Sequence, residues 1–383
     1  MTMKLFFEQT ISRRDFLKKF GLIALSSAVL PKLLRFGQAQ DAKLGLIKPQ
    51  KALYYEKLAA QKVHCLLCPR GCVVTKGNRG FCRVRENRNG EYYTLVHSNP
   101  CSVHIDPIEK KPLFHFRPGT TALSLATAGC NFTCKNCQNW DISQASSDET
   151  INFDAPPEEI VDLAKQYKTP TIAYTYTEPS VFYEYMLEIA QLARRRGVLN
   201  IYKSNGYINQ KPLLELASYL DAANIDLKGY SEDFYKEITS GTLEPVLKTL
   251  KTLKKQGVWL EVTNLIIPTK NDAESMIKEL CNWIKGELGK ETPLHFSRFY
   301  PQYKLQNIPP TPVETLKKAT AIAHQTGLEY VYVGNVPNIT EENTYCPKCG
   351  KMIIERKGYE VKAINLKNGK CKFCRKEIPG RWS

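Results

Sequence analysis

Between residues 121 and 336 the chain alternates short apolar runs rich in β-branched residues with longer amphipathic stretches, and this alternation leaves few folds open. Residues 121–128, 171–177, 200–204, 222–228, 259–268, 293–300 and 330–336 read as strands. Residues 157–167, 180–196, 211–220, 243–256, 273–287 and 313–326 read as helices. The first helix opens on Pro157 with glutamates in its first turn; Gly257 and Gly327 end two of the others. In the second, Phe182, Met186, Ile189, Ala190 and Ala193 share one face. Strands separated by helices imply a parallel sheet with right-handed crossovers. The number of units falls short of a complete eight-unit barrel. The expected fold is α/β, a partial (β/α)6 TIM-like barrel whose open side admits a macromolecular substrate.

The thirteen cysteines are clustered rather than spread through loops, which argues against a secreted disulfide scaffold and for metal loading in a reducing compartment. Cys130, Cys134 and Cys137 follow the first strand directly, in the loop where such folds place chemistry. A [4Fe-4S] cluster ordinarily takes four thiolates. Three leave one iron with an open position, the mark of a catalytic metal site. S-adenosylmethionine (SAM) can fill it through its amino and carboxylate groups. One electron from the cluster would then break the sulfonium C–S bond, giving methionine and a 5′-deoxyadenosyl radical that abstracts a hydrogen atom. Structural zinc would need a fourth ligand, and none follows within the loop.

Two further groups have metal-ligand spacing. Cys346, Cys349, Cys371 and Cys374 form two CxxC knuckles in a short basic segment, as in a zinc ribbon. With Met352, Ile353, Ile354, Val361 and Ile364 as its main apolar residues, that segment is too short for a core of its own and should need a metal to fold, Zn2+ first, with iron or a second iron–sulfur cluster as the alternative. Cys65, Cys68, Cys72 and Cys82 read as a closed four-thiolate site for zinc or for an auxiliary iron–sulfur cluster. Cys101 and Cys281 read as single thiols, the latter in the core.

The segments Asp106-Pro107-Ile108-Glu109-Lys110-Lys111-Pro112-Leu113-Phe114-His115-Phe116, Gly129-Cys130-Asn131-Phe132 and Cys137-Gln138-Asn139-Trp140 carry a family likeness. Tyr174-Thr175-Tyr176-Thr177-Glu178-Pro179, Ser204-Asn205-Gly206-Tyr207 and Asp226-Leu227-Lys228-Gly229 extend it. In these residues the chain resembles the radical SAM superfamily, in the branch of the pyruvate formate-lyase activating enzyme. It resembles most the radical SAM component of the AmmeMemoRadiSam system. The resemblance implies a radical SAM type of partial barrel over about residues 62–336. It also implies that Glu178, at the position of the superfamily's Gly-Gly-Glu motif, contacts the SAM amino group. Many members carry an aromatic or aliphatic residue just before the third cysteine; here Asn136 stands there, and Trp140 is the alternative for the adenine.

Other cofactor contacts are read from position. Ser204 and Asn205 end the third strand, within reach of ribose hydroxyls. Asp226 and Lys228 share one face of the fourth strand because side chains alternate; they serve either SAM and substrate or a buried ion pair. Arg298 is placed toward the SAM carboxylate, and His295 reads as packing.

Residues 1–39 read as a Tat-type signal: Arg13-Arg14, an apolar stretch from Phe20 to Leu30, and Gly37 and Ala39 at small-residue positions. The expected organisation is this segment, a cysteine-bearing and irregular region at 40–118, the core at 119–337 and the ribbon-like module at 338–383. The signal implies export or membrane proximity, whereas cofactor loading, SAM and a low-potential electron donor point to the cytoplasm. The net charge of +16 is concentrated at the ends, with seven Lys/Arg against two acidic residues in 1–39 and eleven against five in 340–383. This weakens the case for a nucleic-acid stripe on the core. An unidentified substrate, with a protein partner of the AMMECR/Memo type as a candidate, is the first reading. RNA or DNA modification with the ribbon as clamp, activation of a glycyl-radical enzyme, and non-catalytic electron transfer are the others.

Overall fold

The computed structural model describes residues 42–383. Its central sheet takes its strands in chain order: β1 (Ser102–Pro107), β2 (Thr121–Ala126), β3 (Thr171–Tyr174), β4 (Leu199–Ser204), β5 (Ala222–Asp226), β6 (Trp259–Ile266), β7 (Leu294–Arg298) and β8 (Val331–Gly334). β2 to β8 are parallel, and β1 pairs antiparallel with β2. The helices between them are α1 (Pro157–Gln166), α2 (Tyr183–Arg195), α3 (Gln210–Ala217), α4 (Glu244–Lys255), α5 (Glu274–Leu288) and α6 (Val313–Thr326). Every residue of β3 is buried, as expected for a strand inside a parallel sheet. Pairing is that of an open sheet, with β8 and β1 at its edges.

All seven expected strands and six expected helices are present. Six strands stop earlier than their apolar pattern: 127–128, 175–177, 227–228, 267–268, 299–300 and 335–336 leave the ladder. The first three of these stretches begin the loops that carry the polar residues discussed below.

The expectation of an irregular region at 40–118 is corrected. It contains two small antiparallel sheets: Gln50–Lys51, Arg85–Arg88 and Glu91–Thr94, and Tyr55–Lys57, Val63–Cys65 and Val73–Val74. It also supplies β1. These strands have two to six residues, too few for a period to show in sequence. Between β1 and β2 the chain plugs the sheet, with Ile108, Leu113 and Phe116 packed on Ala122, Ala173, Ile201 and Ala222.

At the C-terminal end, Thr344–Tyr345, Met352–Lys357 and Glu360–Ile364 form a three-stranded sheet. Its core is shared rather than private. Ile353, Cys346, Cys371 and Ile378 cluster with Phe114, Tyr330 and Tyr332. Arg356, 3% exposed, donates to the Phe114 carbonyl at 2.7 Å and lies over the Phe114 ring. Of the five apolar residues expected to matter there, Ile353 and Ile354 are fully buried, but Ile364 is 48% exposed. Residues Lys43–Ser383 make up one compact unit. The Tat-type segment lies outside the described residues. Among those described, no helix is long and apolar enough to cross a membrane.

Candidate active site at the strand ends

Parallel pairing brings the C-terminal ends of β2 to β5 to one edge of the sheet, so the loops after them meet. The loop after β2 holds the three cysteines. Gly129 enters it at φ +92°, and a Cβ there would come within 2.6 Å of the Cys82 carbonyl. The loop is then tied down on both sides. Asn131, fully buried, donates to the Tyr207 carbonyl at 2.7 Å. The Thr133 and Lys135 amides donate to the carbonyls of Thr239 (3.1 Å) and Ile238 (2.9 Å).

The thiols have protein donors of their own. Cys130 Sγ receives the Phe132 amide at 3.4 Å and Asn205 Nδ2 at 3.9 Å, and Cys137 Sγ lies 3.1 Å from Ser143 Oγ. Burial pushes the Cys130 thiol well up, and the nearby Glu178 charge adds to this. Burial also raises Cys134, to about 11, with the Lys228 charge opposing it. Such thiols ionise only when a metal takes the sulfur. Among the described residues no His, Cys, Asp or Glu completes a single-ion site with them. Three thiols held apart, each at a different point of one loop, fit a cluster with an open iron and do not fit zinc.

Glu178 is 1% exposed and its carboxylate is well supplied with donors. Oε1 accepts from the Ser180 amide (2.9 Å), Ser180 Oγ (2.6 Å) and Ser204 Oγ (2.8 Å), and Oε2 from the Asn205 amide (2.9 Å). Burial raises its pKa, and these bonds hold it back without cancelling the rise. Glu178 thus braces the end of β4, with a lone pair left on Oε2. Ser204 and Asn205 are likewise buried and spend their side chains internally: Asn205 donates to Asn131 Oδ1 at 2.8 Å, and its Oδ1 accepts the Tyr207 amide at 2.8 Å.

Asp226 and Lys228 do form the expected pair, at 3.0 Å. The pair is a triad, because Lys203 Nζ also bonds Asp226 Oδ1 and reaches Asn224 Oδ1 at 2.6 Å. Burial pushes the Asp226 carboxyl up, but the two lysine charges win and hold it at about 2. Lys228 is raised by Asp226 and by the nearby Cys134 despite burial. Sequence reading missed Lys203. The signal was there: Lys203 is in register with Asn224 on the neighbouring strand, and Asp226 is two residues on, on the same face. Tyr235 was missed too; its hydroxyl accepts the Lys228 amide at 3.3 Å.

Arg298 is not joined to this group by any hydrogen bond among the described residues. It donates to the Thr311 carbonyl (2.7 Å) and to the Tyr300 hydroxyl (3.2 Å). His295 is buried and bonded to Glu261 at 2.6 Å, as its packing role requires. Trp140, 43% exposed, is stacked on Tyr303 with centroids 5.2 Å apart.

The C-terminal quartet has another geometry. Cys346 and Cys374 sulfurs are 3.5 Å apart, those of Cys349 and Cys371 3.8 Å, and all four lie within 4.8 Å of one another.

Comparison with known proteins matches residues 124–284 to the Radical SAM superfamily. The uncharacterized protein MJ0808 of Methanocaldococcus jannaschii is 52% identical over 331 residues, which are 86% of this chain and 98% of that protein. The pyruvate formate-lyase-activating enzyme of Clostridium pasteurianum is 23% identical over 202 residues, 50% of this chain and 84% of that enzyme. Among solved structures, a radical SAM methyltransferase from Sphaerobacter thermophilus covers 62% of this chain and 71% of its own, at 14% identity and TM-score 0.44.

Proposed function

The chain belongs to the radical SAM superfamily and is related to the pyruvate formate-lyase-activating enzymes, and from that premise we propose that it generates a substrate radical by hydrogen abstraction at the strand-end site. Cys130, Cys134 and Cys137 hold the [4Fe-4S] cluster. A reduced cluster bound there supplies the electron that splits SAM into methionine and the 5′-deoxyadenosyl radical, which takes a hydrogen atom from the substrate. The observation that carries the reading is the convergence of three thiols, without a fourth protein ligand among the described residues, on the charged ends of β3 to β5.

The chain's own residues bind and orient. Glu178 presents its remaining lone pair to the SAM ammonium while fixing Ser204 and Asn205. Asn205 steadies Cys130 through its long contact with the sulfur and through Asn131. Asp226 holds Lys203 and Lys228, and Lys228 sets its positive charge beside Cys134. Arg298 and the Trp140–Tyr303 stack stand at the loops after β7 and β2, available to the carboxylate and adenine ends of the ligand.

The finer assignment, to the AmmeMemoRadiSam system, rests on the quoted likeness in segments such as 106–116 and 174–179. It brings with it a low-potential electron donor and a protein partner of the AMMECR or Memo type. A second reading, activation of a glycyl-radical enzyme, is favoured by the related activating enzyme. Zn2+ is assigned to Cys346, Cys349, Cys371 and Cys374 on their spacing. Anaerobic reconstitution, reduction and SAM addition should yield methionine and 5′-deoxyadenosine. Failure of a cluster-replete, reduced enzyme to cleave SAM would overturn the reading.

A further inference from the structure

Cys65, Cys68, Cys72 and Cys82 take no part in the site above, yet they line one cavity, together with Arg70, Arg85 and Asn131. The Phe81 amide donates to Cys72 Sγ at 3.5 Å, and the Leu67, Arg70 and Val84 amides act on the sulfurs of Cys65, Cys68 and Cys82 in the sense that favours their charged forms. Amides aimed at sulfur suit thiolates, not thiols. Arg85 adds an independent sign of a missing ligand. It is 1% exposed, and its terminal nitrogens bond Glu184 at 2.9 and 2.8 Å. Its Nε–H, by contrast, finds no acceptor among the described residues. A buried donor left without a partner is costly, so an acceptor belongs there.

The spacing says what kind. Four thiolates on one zinc ion, at bonds of about 2.3 Å, stand about 3.8 Å apart. The C-terminal quartet has that spacing, and among the described residues no other group of three or more such donors comes within 4.8 Å. No three of the N-terminal sulfurs around the cavity lie within 4.8 Å of one another. Val63–Cys65 is fixed between Tyr55–Lys57 and Val73–Val74 by antiparallel pairing, which resists collapse onto one ion.

We propose that Cys65, Cys68, Cys72 and Cys82 hold a second cofactor, an iron–sulfur cluster in which inorganic sulfide fills the space between the thiolates. Its sulfides accept the Arg85 Nε–H, and Arg70 supplies positive charge on the side facing the first site. The two sites adjoin. Arg70 Nε donates to the Asn131 carbonyl at 2.9 Å, and Asn131 is bonded to Asn205, which reaches Cys130. The Cys82 carbonyl abuts Gly129. This inference does not depend on the function proposed above.

The test uses the full chain in which Cys130, Cys134 and Cys137 are all replaced by Ala, reconstituted anaerobically with iron and sulfide. It should keep iron–sulfur absorption and about a third to a half of the native acid-labile sulfide, for a [2Fe–2S] or a [4Fe–4S] cluster. Adding Cys68→Ala and Cys82→Ala should remove the rest. A triple variant that holds no acid-labile sulfide, or that loses one zinc ion when Cys68→Ala and Cys82→Ala are added, overturns the proposal. If that variant does not fold, the native chain decides: about six or eight sulfides per chain, for a [2Fe–2S] or a [4Fe–4S] second cluster, support the proposal, and about four refute it. Mössbauer spectra of the native chain should show one iron population shifted by SAM and another unmoved by it.

Discussion

At the strand ends three thiols sit among charged side chains, Glu178 on one side and the Lys203–Asp226–Lys228 triad on the other. At the C-terminal end four sulfurs lie within 4.8 Å of one another, backed by Ile353, Phe114 and Tyr330. The ligand type is the same and the surroundings are opposite. A metal centre that must meet an ionic cofactor and pass an electron needs an open position and fixed charge nearby. A metal that only holds a fold needs closure and an apolar backing. On the proposed function, the comparison separates a region whose cysteines would act from one whose cysteines would fasten.

The largest effect should come from breaking the acting region. Cys134→Ala should abolish 5′-deoxyadenosine formation, a loss beyond the roughly 100-fold that removing an outer partner of a metal site costs. Far-ultraviolet circular dichroism should stay close to native, because Cys134 lies in a loop held by the Thr133 and Lys135 amides rather than by the sulfur. Normal SAM cleavage by this variant would end the distinction.

Next in size is the brace beneath the site. Asp106, 4% exposed, bonds the fully buried Lys111 at 2.5 Å, Lys110 at 2.9 Å and the Tyr176 hydroxyl. Burial pushes its carboxyl up, but the Lys111 charge and the hydrogen bonds hold it well below the usual range. Asp106→Asn leaves Lys111 buried without its counter-charge and should cost about 3–5 kcal/mol. The pH dependence follows from the depressed value. The Asp106 contribution is fully present above the unfolded carboxylate pKa of about 3.9 and is lost as pH falls toward the native one. Denaturant melts from pH 6 to pH 3 should therefore fall more steeply for the native chain than for Asp106→Asn; parallel curves would show that the pair is not a unit.

Much of this was legible beforehand and some was not. The seven strands and six helices were readable because each buries a full apolar face, so its period is written in the residues. The cysteine loop was readable because its ligands are local. Lys203 escaped because its partner lies on the next strand, and register is not visible in one segment. The small sheets of 40–118 escaped because two- and three-residue strands owe their existence to neighbours. Glu178 was placed at the right strand end, but its four donors, from Ser180, Ser204 and Asn205, only appear once β3 and β4 are side by side.

Glu178→Gln sharpens the comparison from the ligand side. Replacing the carboxylate removes charge-assisted bonds worth about 1.5–3 kcal/mol each, or roughly ten- to hundredfold in SAM affinity if one of them is to the ammonium. Iron content should fall far less, since Glu178 bonds amides and hydroxyls and no sulfur. Ser204→Ala is the control that removes one brace bond and leaves the charge. Equal losses in anaerobic SAM titrations of the two variants would reduce Glu178 to a brace.

The smallest catalytic effect should come from the fastening region. Cys349→Ala removes the most exposed of the four C-terminal ligands and should release the metal. The module then keeps part of its order, because Ile353 and Ile378 pack on Tyr330 and Tyr332 and Arg356 bonds the Phe114 carbonyl without any metal. A ribbon with a private core would unfold outright; this one shares its core with β8 and the plug before β2. Hydrogen exchange should therefore rise at 346–351 and 371–376, and hardly at 352–357. SAM cleavage should stay within about twofold of native, since no hydrogen bond runs from the quartet to Glu178, Asp226 or the Cys130 loop among the described residues. The route for a larger effect is the plug. Phe114 and His115 take both oxygens of the buried Glu261, at 3.0 and 2.8 Å, and His115 meets Tyr332 and the Pro379 carbonyl. A fall in SAM cleavage that tracks exchange at 113–117 would show that the fastening region steadies the acting one through this network, and the two regions would then be one device rather than two.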